Sequence, residues 1–268
     1  MKKLEWIYKD FKLRFYYSLL HNILLPRPKP TRFSEKLGKY QQYKMYLLMD
    51  ENTHNLNVGR DPLSSYIKRV LKRGNVVVDV GANSGTISIP ASRLIGHTGK
   101  VLAFEPAKIA YTRLLKNIKL NRANNITAFK KGLGNKNQKL SLEIGLFGDG
   151  LNSLVPHKYD LRSTEKVEVV TGDSIIHGPV DFVKIDVEGY EPEVIHGMKR
   201  ILTTYHPIVV FEFNFDHIWQ KDKKFNASFE LLKQYGYNNF VDLNTGKEAF
   251  SYKDLSRTLV DISATVKV

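Results

Sequence analysis

Five acids, one lysine and two glycines in this chain are spaced as a small-molecule site requires: Asp79, Gly81, Gly85, Glu105, Lys184, Asp186, Glu188 and Glu212. A carboxylate can take a proton from a hydroxyl, grip a pair of hydroxyls, or hold a cation through oxygen. A glycine lets the backbone turn sharply and approach a ligand closely.

The stretch Asn75-Val-Val-Val-Asp79-Val-Gly81-Ala82-Asn83-Ser84-Gly85 is a run of valines that ends in an acid and a glycine-bounded turn. Such apolar runs read as parallel strands buried on both faces. The carboxyl end of such a strand is where doubly wound sheets bind nucleotide-like molecules. The spacing does not suit a dinucleotide, whose fingerprint is G-x-G-x-x-G; Asn83 stands where the middle glycine would be. Asp79 beside the turn would repel a pyrophosphate, whereas it suits a ligand carrying an amino group and a sulfonium. A second strand, Lys100-Val-Leu-Ala-Phe-Glu105-Pro106, ends in another acid 24 residues after Gly81. That is the position from which a carboxylate grips both ribose hydroxyls. Together these offsets describe a site for S-adenosylmethionine, with Asp79, Gly81, Ala82, Asn83, Gly85 and Glu105 as its binding residues. The alternative is a nucleotide-like turn that holds no ligand.

The segment Val180-Asp-Phe-Val-Lys184-Ile-Asp186 reads as a further core strand. Period-two geometry puts Phe182, Lys184 and Asp186 on one face. Charges in a core strand are costly unless paired, so Asp186 and Lys184 are either catalytic groups or an ion pair that holds the loop, with Asp79 as a second partner for Lys184. Glu188 follows, read either as an acceptor contact or as a helix N-terminal charge. In Phe211-Glu212-Phe-Asn214 an acid takes a place where the apolar pattern asks for another valine. Glu212 is therefore read beside Asp186 as a catalytic or acceptor-binding group, against a hydrogen bond to a helix terminus. Oxygen ligands at these strand ends suit magnesium or calcium, but two acids do not define a metal site and none is assigned. Asn152 and Ser153 lie in a loop placed to cover an acceptor, against ordinary turn chemistry. His157 and His217 are secondary candidates for a base.

The elements that must position these residues follow the chain. A helix over Pro62 to Leu71 leads into a strand at Val76–Val80. The helix after the glycine turn runs to about Ile95 with Pro90 inside it, and a proline there removes a hydrogen bond and kinks the backbone. Pro106 opens a helix whose apolar positions are Ile109, Leu114, Leu115 and Ile118, and Ile126–Phe129 is the third strand. This βαβαβ order predicts a parallel sheet with right-handed crossovers. Lys139–Ile144 and Lys166–Val170 form an antiparallel excursion around the Gly148–Leu154 loop. A helix over Glu191–Leu202, a strand over Pro207–Phe213, a helix over Ser228–Tyr235 and a strand pair at Phe240–Leu243 and Thr258–Val266 complete the domain.

A chain of 268 residues with 42% hydrophobic content can bury one large α/β core. It has no cysteine, so disulfides, thiol catalysis and cysteine-held zinc are excluded. The net charge is +14, and residues 1–50 hold eleven Lys/Arg against four Asp/Glu, half of the surplus. Such a balance favours acidic partners: nucleic acid, anionic lipid or a phosphorylated sugar. Leu4, Ile7, Tyr8, Phe11, Phe15 and Leu19 follow roughly helical spacing, and Pro26-Arg-Pro-Lys-Pro30 then acts as a stiff linker. Segment 1–30 reads as a basic amphipathic helix on an anionic membrane surface, or as one docked on the protein's own core. No apolar run reaches transmembrane length, and the scattered charges do not suit a signal peptide. The expected division is a basic, aromatic N-terminal helical extension and linker over 1–57 and a catalytic domain over 58–268. A cytoplasmic protein fits, with peripheral membrane attachment left open.

Four motifs in order resemble the FkbM family of S-adenosylmethionine-dependent methyltransferases: Asp79-Val-Gly-Ala-Asn-Ser-Gly85, Ala-Phe-Glu105-Pro, Asn152-Ser-Leu-Val-Pro and Val-Lys184-Ile-Asp186-Val-Glu188-Gly189. The likeness is strong over residues 58–213 and weak over the last strands; residues 1–50 match no family element, and Pro90 departs from the family's helix. The resemblance implies a class I methyltransferase fold: a Rossmann-like, seven-stranded, mostly parallel sheet, its last pair antiparallel, with helices on both faces. It also implies O-methylation of a sugar or polyketide hydroxyl, here a sugar in a glycan, glycolipid or secondary metabolite. An RNA methyltransferase is the competing enzyme. No aromatic–proline motif for base amino groups and no RNA-binding module is visible, so nucleic acid is not the expected partner. A membrane or scaffold protein with an inactive methyltransferase domain is the reading from another class; intact Asp79, Gly81, Gly85 and Glu105 stand against it.

Overall fold

The computed structural model describes residues 34–40, 42–49, 62–145, 152–154, 161–215, 224–255, 257 and 259–267. The basic segment 1–30, His157 and His217 lie outside them. Two strands, β1 (Ser34–Tyr40) and β2 (Tyr43–Met49), pair as an antiparallel hairpin, within the segment whose sequence suggested helix and linker. Then come α1 (Pro62–Val70), β3 (Val76–Val80), α2 (Ser88–Ile95), β4 (Lys100–Phe104), α3 (Lys108–Leu120) and β5 (Ile126–Phe129). A short strand, β6 (Gly132–Leu133), leads into β7 (Gln138–Gly145) and β8 (Leu161–Val170), which pair antiparallel as expected. The rest is α4 (Gly172–Ile175), β9 (Phe182–Ile185), α5 (Glu191–Gly197), α6 (Lys199–Tyr205), β10 (Ile208–Asn214), α7 (Ala227–Gln234), β11 (Asn239–Asp242), β12 (Lys247–Glu248) and β13 (Leu259–Thr265).

The main sheet runs β5-β4-β3-β9-β10-β13-β11-β12. Pairs from β5 to β10 are parallel, and β13 is antiparallel to both β10 and β11. This is the Rossmann-like, mostly parallel α/β sheet that the sequence implied, with the two-residue β12 added at one edge. Strand order reverses between β3 and β9, and the crevice at such a reversal is where an open α/β sheet holds its ligand. Two apolar clusters fill the two faces: Val78, Val183, Phe211 and Ile262 in one, Val77, Val101, Phe182 and Val210 in the other. Among the described residues no helix is long and apolar enough to cross a membrane.

Three local expectations change. Pro90 is the third residue of α2, in a first turn whose N–H groups have no intrahelical partner, so it does not break the helix. The helix expected over Glu191–Leu202 divides at buried Met198. Gly197 lies on the backbone there: a Cβ on it would sit 1.8 Å from the Gly134 carbonyl oxygen. In α3 the buried residues are Ala110, Arg113, Leu114 and Asn117, while Ile109 and Leu115 are exposed. The inward face has helical spacing, but two polar residues, Arg113 and Asn117, hold places on it.

Candidate functional site

Gly81 and Gly85 take φ of +75° and +89°, and Asn83 between them takes +48°. Side chains are strained in that region. Gly81 has a second reason to be glycine: a Cβ would lie 1.8 Å from the carbonyl oxygen of Asp186. A Cβ on Gly85 would meet Leu114 of α3 at 2.8 Å. The N–H groups of Gly81 and Ala82 both donate to the Phe104 carbonyl, and that of Gly85 donates to Ala82. The Asn83 N–H donates to Glu105 at 2.8 Å. The glycines thus shape the turn and bring strands together, and these N–H groups are engaged within the protein.

Glu105 is buried, and its second oxygen accepts the Ala107 N–H at 2.8 Å. Each carboxylate oxygen has room for more than one donor, so a carboxylate held from behind by two backbone bonds can present lone pairs to ribose hydroxyls. Glu105→Ala is expected to weaken S-adenosylmethionine binding at least tenfold by calorimetry, since each bond to a charged group contributes about 1.5–3 kcal/mol. An unchanged affinity in a variant that melts cooperatively would rule the contact out.

Lys184 is the electrostatic hub. It is buried, with Nζ 3.0 Å from the Gly81 carbonyl, 3.2 Å from Asp186 and 3.6 Å from Asp79. Burial alone would favour its neutral form, but the charges of Asp186 and Asp79 override that and raise its pKa above the ordinary lysine value. Asp79 is wholly buried, accepts the Ser88 hydroxyl, and stands outside the cleft lining. The ion pairs weighed in the sequence as an alternative to catalysis are therefore present, and they tie β3, β9 and the glycine turn together.

Beyond Lys184 the sheet edge is acidic. The register that sets Lys184 opposite Asp79 and Val210 carries Asp186 beside Glu212, which pairs with Asp261. One oxygen each from Asp186, Glu188 and Glu212 lies within 4.8 Å of the others, a spacing that a cation with oxygen ligands would accept. Glu212 Oε2 is buried with no hydrogen-bond partner. Burial, then the charges of Asp186, Glu188, Glu191 and Asp261, push its carboxyl up to about 11. Asp186 is more open, its side chain 36% exposed.

Glu188 sits at φ +55° ahead of Gly189. Glu191, missed as a site residue in the sequence, fixes this bend: it is 2% exposed, and one oxygen accepts the N–H groups of Val187 and Gly189. Burial raises its carboxyl from 4.5 to about 7, against the lowering effect of those bonds. Between these values the folded protein keeps a proton that the unfolded chain has released. The group's stabilisation is complete below pH 4.5, declines as pH rises to 7, and is gone above it. Glu191→Gln keeps an oxygen for both N–H groups and carries no charge. It is expected to raise the melting temperature at pH 8 and flatten its decline between pH 5 and 8; a melting temperature lowered at both pH values would refute this.

Gly81, Asn83, Glu105, Asp186, Glu188 and Asn152 line one open cleft. Ala82, Gly85, Ser153, Lys184 and Glu212 stand outside its lining. Phe104, Leu133, Leu142 and Leu154 give it an apolar wall, and Phe104 stacks on Phe129 with ring centroids 4.7 Å apart. Leu142 comes from the antiparallel excursion and Leu133 from β6, which pairs parallel with β8; the alternating pattern of the excursion gave no sign that it turns toward the cofactor strands. Ser153 is wholly buried, pairs through its backbone with Glu143, and donates its hydroxyl to the Glu188 carbonyl at 2.7 Å. It ties the covering segment to the acidic loop.

A mostly parallel sheet with a glycine turn at its reversal point, and with its late strand β13 antiparallel to both neighbours, is the class I methyltransferase fold, whose family cofactor is S-adenosylmethionine. The chain belongs to the methyltransferase FkbM domain family, whose sequence profile matches residues 79–238. It is 30% identical over 142 residues to the hexuronic acid methyltransferase AglP of Haloferax volcanii, covering 51% of this chain and 55% of that protein. It is 32% identical over 135 residues to the methyltransferase sdnD of Sordaria araneosa, covering 49% and 48%. The chain thus spans about half the length of the curated relatives it matches. The crystal structure of a methyltransferase FkbM from Methylobacillus flagellatus KT superposes with a TM-score of 0.49 at 17% identity, over 73% of this chain and 45% of that one.

Proposed function

We propose that this methyltransferase transfers the methyl group to a sugar hydroxyl, with Asp186 as the base. The observation that carries the reading is the position of Asp186: at the reversal point of the sheet, half-exposed, on the cleft, and held at 3.2 Å by a lysine that is itself buried. In-line transfer to a hydroxyl needs its oxygen placed against the methyl carbon, and such placement can contribute about 7–11 kcal/mol. As the oxygen–methyl bond forms, the methyl–sulfur bond breaks and S-adenosylhomocysteine leaves. The hydroxyl proton passes to Asp186.

Glu212 is a poor base, because burial and then the surrounding acids keep it protonated. In that state it can donate a hydrogen bond to an acceptor oxygen or to Asp186. Lys184 positions Asp186, and Asn152 and Glu188 are the proposed acceptor contacts. The hexuronic acid methyltransferase among the relatives supports a sugar acceptor. The test is incubation with methyl-labelled S-adenosylmethionine and a panel of neutral sugars, uronic acids and RNA. Label on a hydroxyl oxygen of a neutral sugar or uronic acid, located by mass spectrometry, is the expected result; label confined to RNA or to a uronic acid carboxylate would overturn the reading.

A further inference from the structure

Asn117 lies in the last turn of α3, wholly buried, and outside the cleft lining. Asparagine is a weak helix former, and a buried amide is costly unless its hydrogen-bonding groups are met. Here they are met by two separate segments. Oδ1 accepts the Tyr46 N–H at 2.6 Å, and Nδ2 donates to the Tyr46 carbonyl at 2.9 Å. The same Nδ2 donates to the Ser84 carbonyl at 2.8 Å. Toward β2 the side chain acts as a neighbouring strand would, bonding both backbone groups of one residue. Toward the glycine turn it holds the Ser84–Gly85 peptide through the Ser84 carbonyl. Met45, next to Tyr46, is wholly buried in the same cluster as Leu63, Ile67, Ala82 and Leu114. The hairpin is thus fixed to the domain by a buried thioether and by an amide that also grips the cofactor turn.

We infer that Asn117 is a positioning residue that locks the cofactor turn to the β1–β2 hairpin, so that cofactor binding and hairpin docking are coupled. The inference rests on the glycine turn and Glu105 being the cofactor site. Asn83 must keep its left-handed backbone for its N–H to reach Glu105, and Asn117 holds the next residue's carbonyl. A turn released from Asn117 samples other conformations, and the bound form must then be selected from them. Coupling is reciprocal: a ligand that fixes the turn stabilises the docked hairpin, and a loosened hairpin weakens the ligand.

The full chain is tested with S-adenosylhomocysteine as the probe. Amide exchange across residues 43–49 is followed with and without it, and its affinity is measured for the wild type and for Met45→Ala, Asn117→Ala and Glu105→Ala. The expected results are slower exchange at Tyr46 on binding and affinities at least about fivefold weaker in both Met45→Ala and Asn117→Ala. In Met45→Ala the deficit should appear in KM for S-adenosylmethionine, with kcat recovered at saturation. A residue that only supports the fold would lower the melting temperature and leave the affinity of the folded protein unchanged. Unaltered exchange at Tyr46 together with wild-type affinity in Met45→Ala, which lies on the hairpin and not in the turn, overturns the coupling even if Asn117→Ala fails to fold. Wild-type affinity in Glu105→Ala overturns it for a different reason, because the cofactor then binds elsewhere.

Discussion

Asp186→Asn is expected to lower turnover by about 10²-fold or more, the usual contribution of a general base, with S-adenosylmethionine affinity kept within a few-fold. Asparagine preserves the size of the side chain and an oxygen for Lys184, which lies 3.2 Å from the carboxylate, but it cannot take a proton. Its neighbours cannot easily replace it. Glu212 is held protonated by burial and by the surrounding acids, and Lys184 is held charged by Asp186 and Asp79. The measurement is kcat beside a calorimetric dissociation constant, on protein whose melting curve matches the wild type. A chelator arm separates two mechanisms. If chelation reproduces the loss and magnesium restores it, Asp186, Glu188 and Glu212 hold a cation, for which their 4.8 Å spacing has room. If chelation has no effect, Asp186 acts as the base. Turnover that survives the substitution while the melting temperature falls leaves Asp186 as a partner of Lys184 alone.

The sheet was legible because its signals are local. Valine runs, glycine turns and acids at strand ends recur in order, and each marks a strand or its carboxyl end without knowledge of the rest. Two acids at the ends of neighbouring strands could be placed side by side from period-two alternation, and the register of Asp186 and Glu212 follows it. What could not be read depends on partners distant in sequence. Asn117 looks like an exposed residue of a polar helix until Tyr46, 71 residues away, supplies two of its partners. Asp261 became a member of the acidic edge only when β13 fell antiparallel beside β10. Glu191 reads as an ordinary acid in a first helical turn, and only the bend at Glu188 and Gly189 turns it inward. The helix break at Met198 has the same origin, because Gly197 must let the Gly134 backbone approach.

Lys184→Met is expected to cost about 3–5 kcal/mol of stability, as removal of one partner from a buried ion pair does, and to lower the melting temperature by roughly 10 °C for a domain of this size. Methionine fills a similar volume, so the loss is not one of packing. Its origin is Asp79, which is wholly buried and, among the described residues, keeps the Ser88 hydroxyl as its partner once the ammonium is gone. The Gly81 carbonyl loses its donor as well, and that residue closes the turn against Asp186. The pair Lys184→Met with Asp79→Leu removes both charges together, and replacing a buried pair by apolar groups is often neutral or stabilising. The double variant should therefore recover a large part of the melting temperature lost by the single one. Cofactor affinity should not recover in step, because the bond to the Gly81 carbonyl is still missing and Asp186 has lost its anchor. If the double variant melts no higher than Lys184→Met, the ion pair with Asp79 is not what the lysine stabilises. If it restores affinity in full, Lys184 balances a charge and does not position the turn.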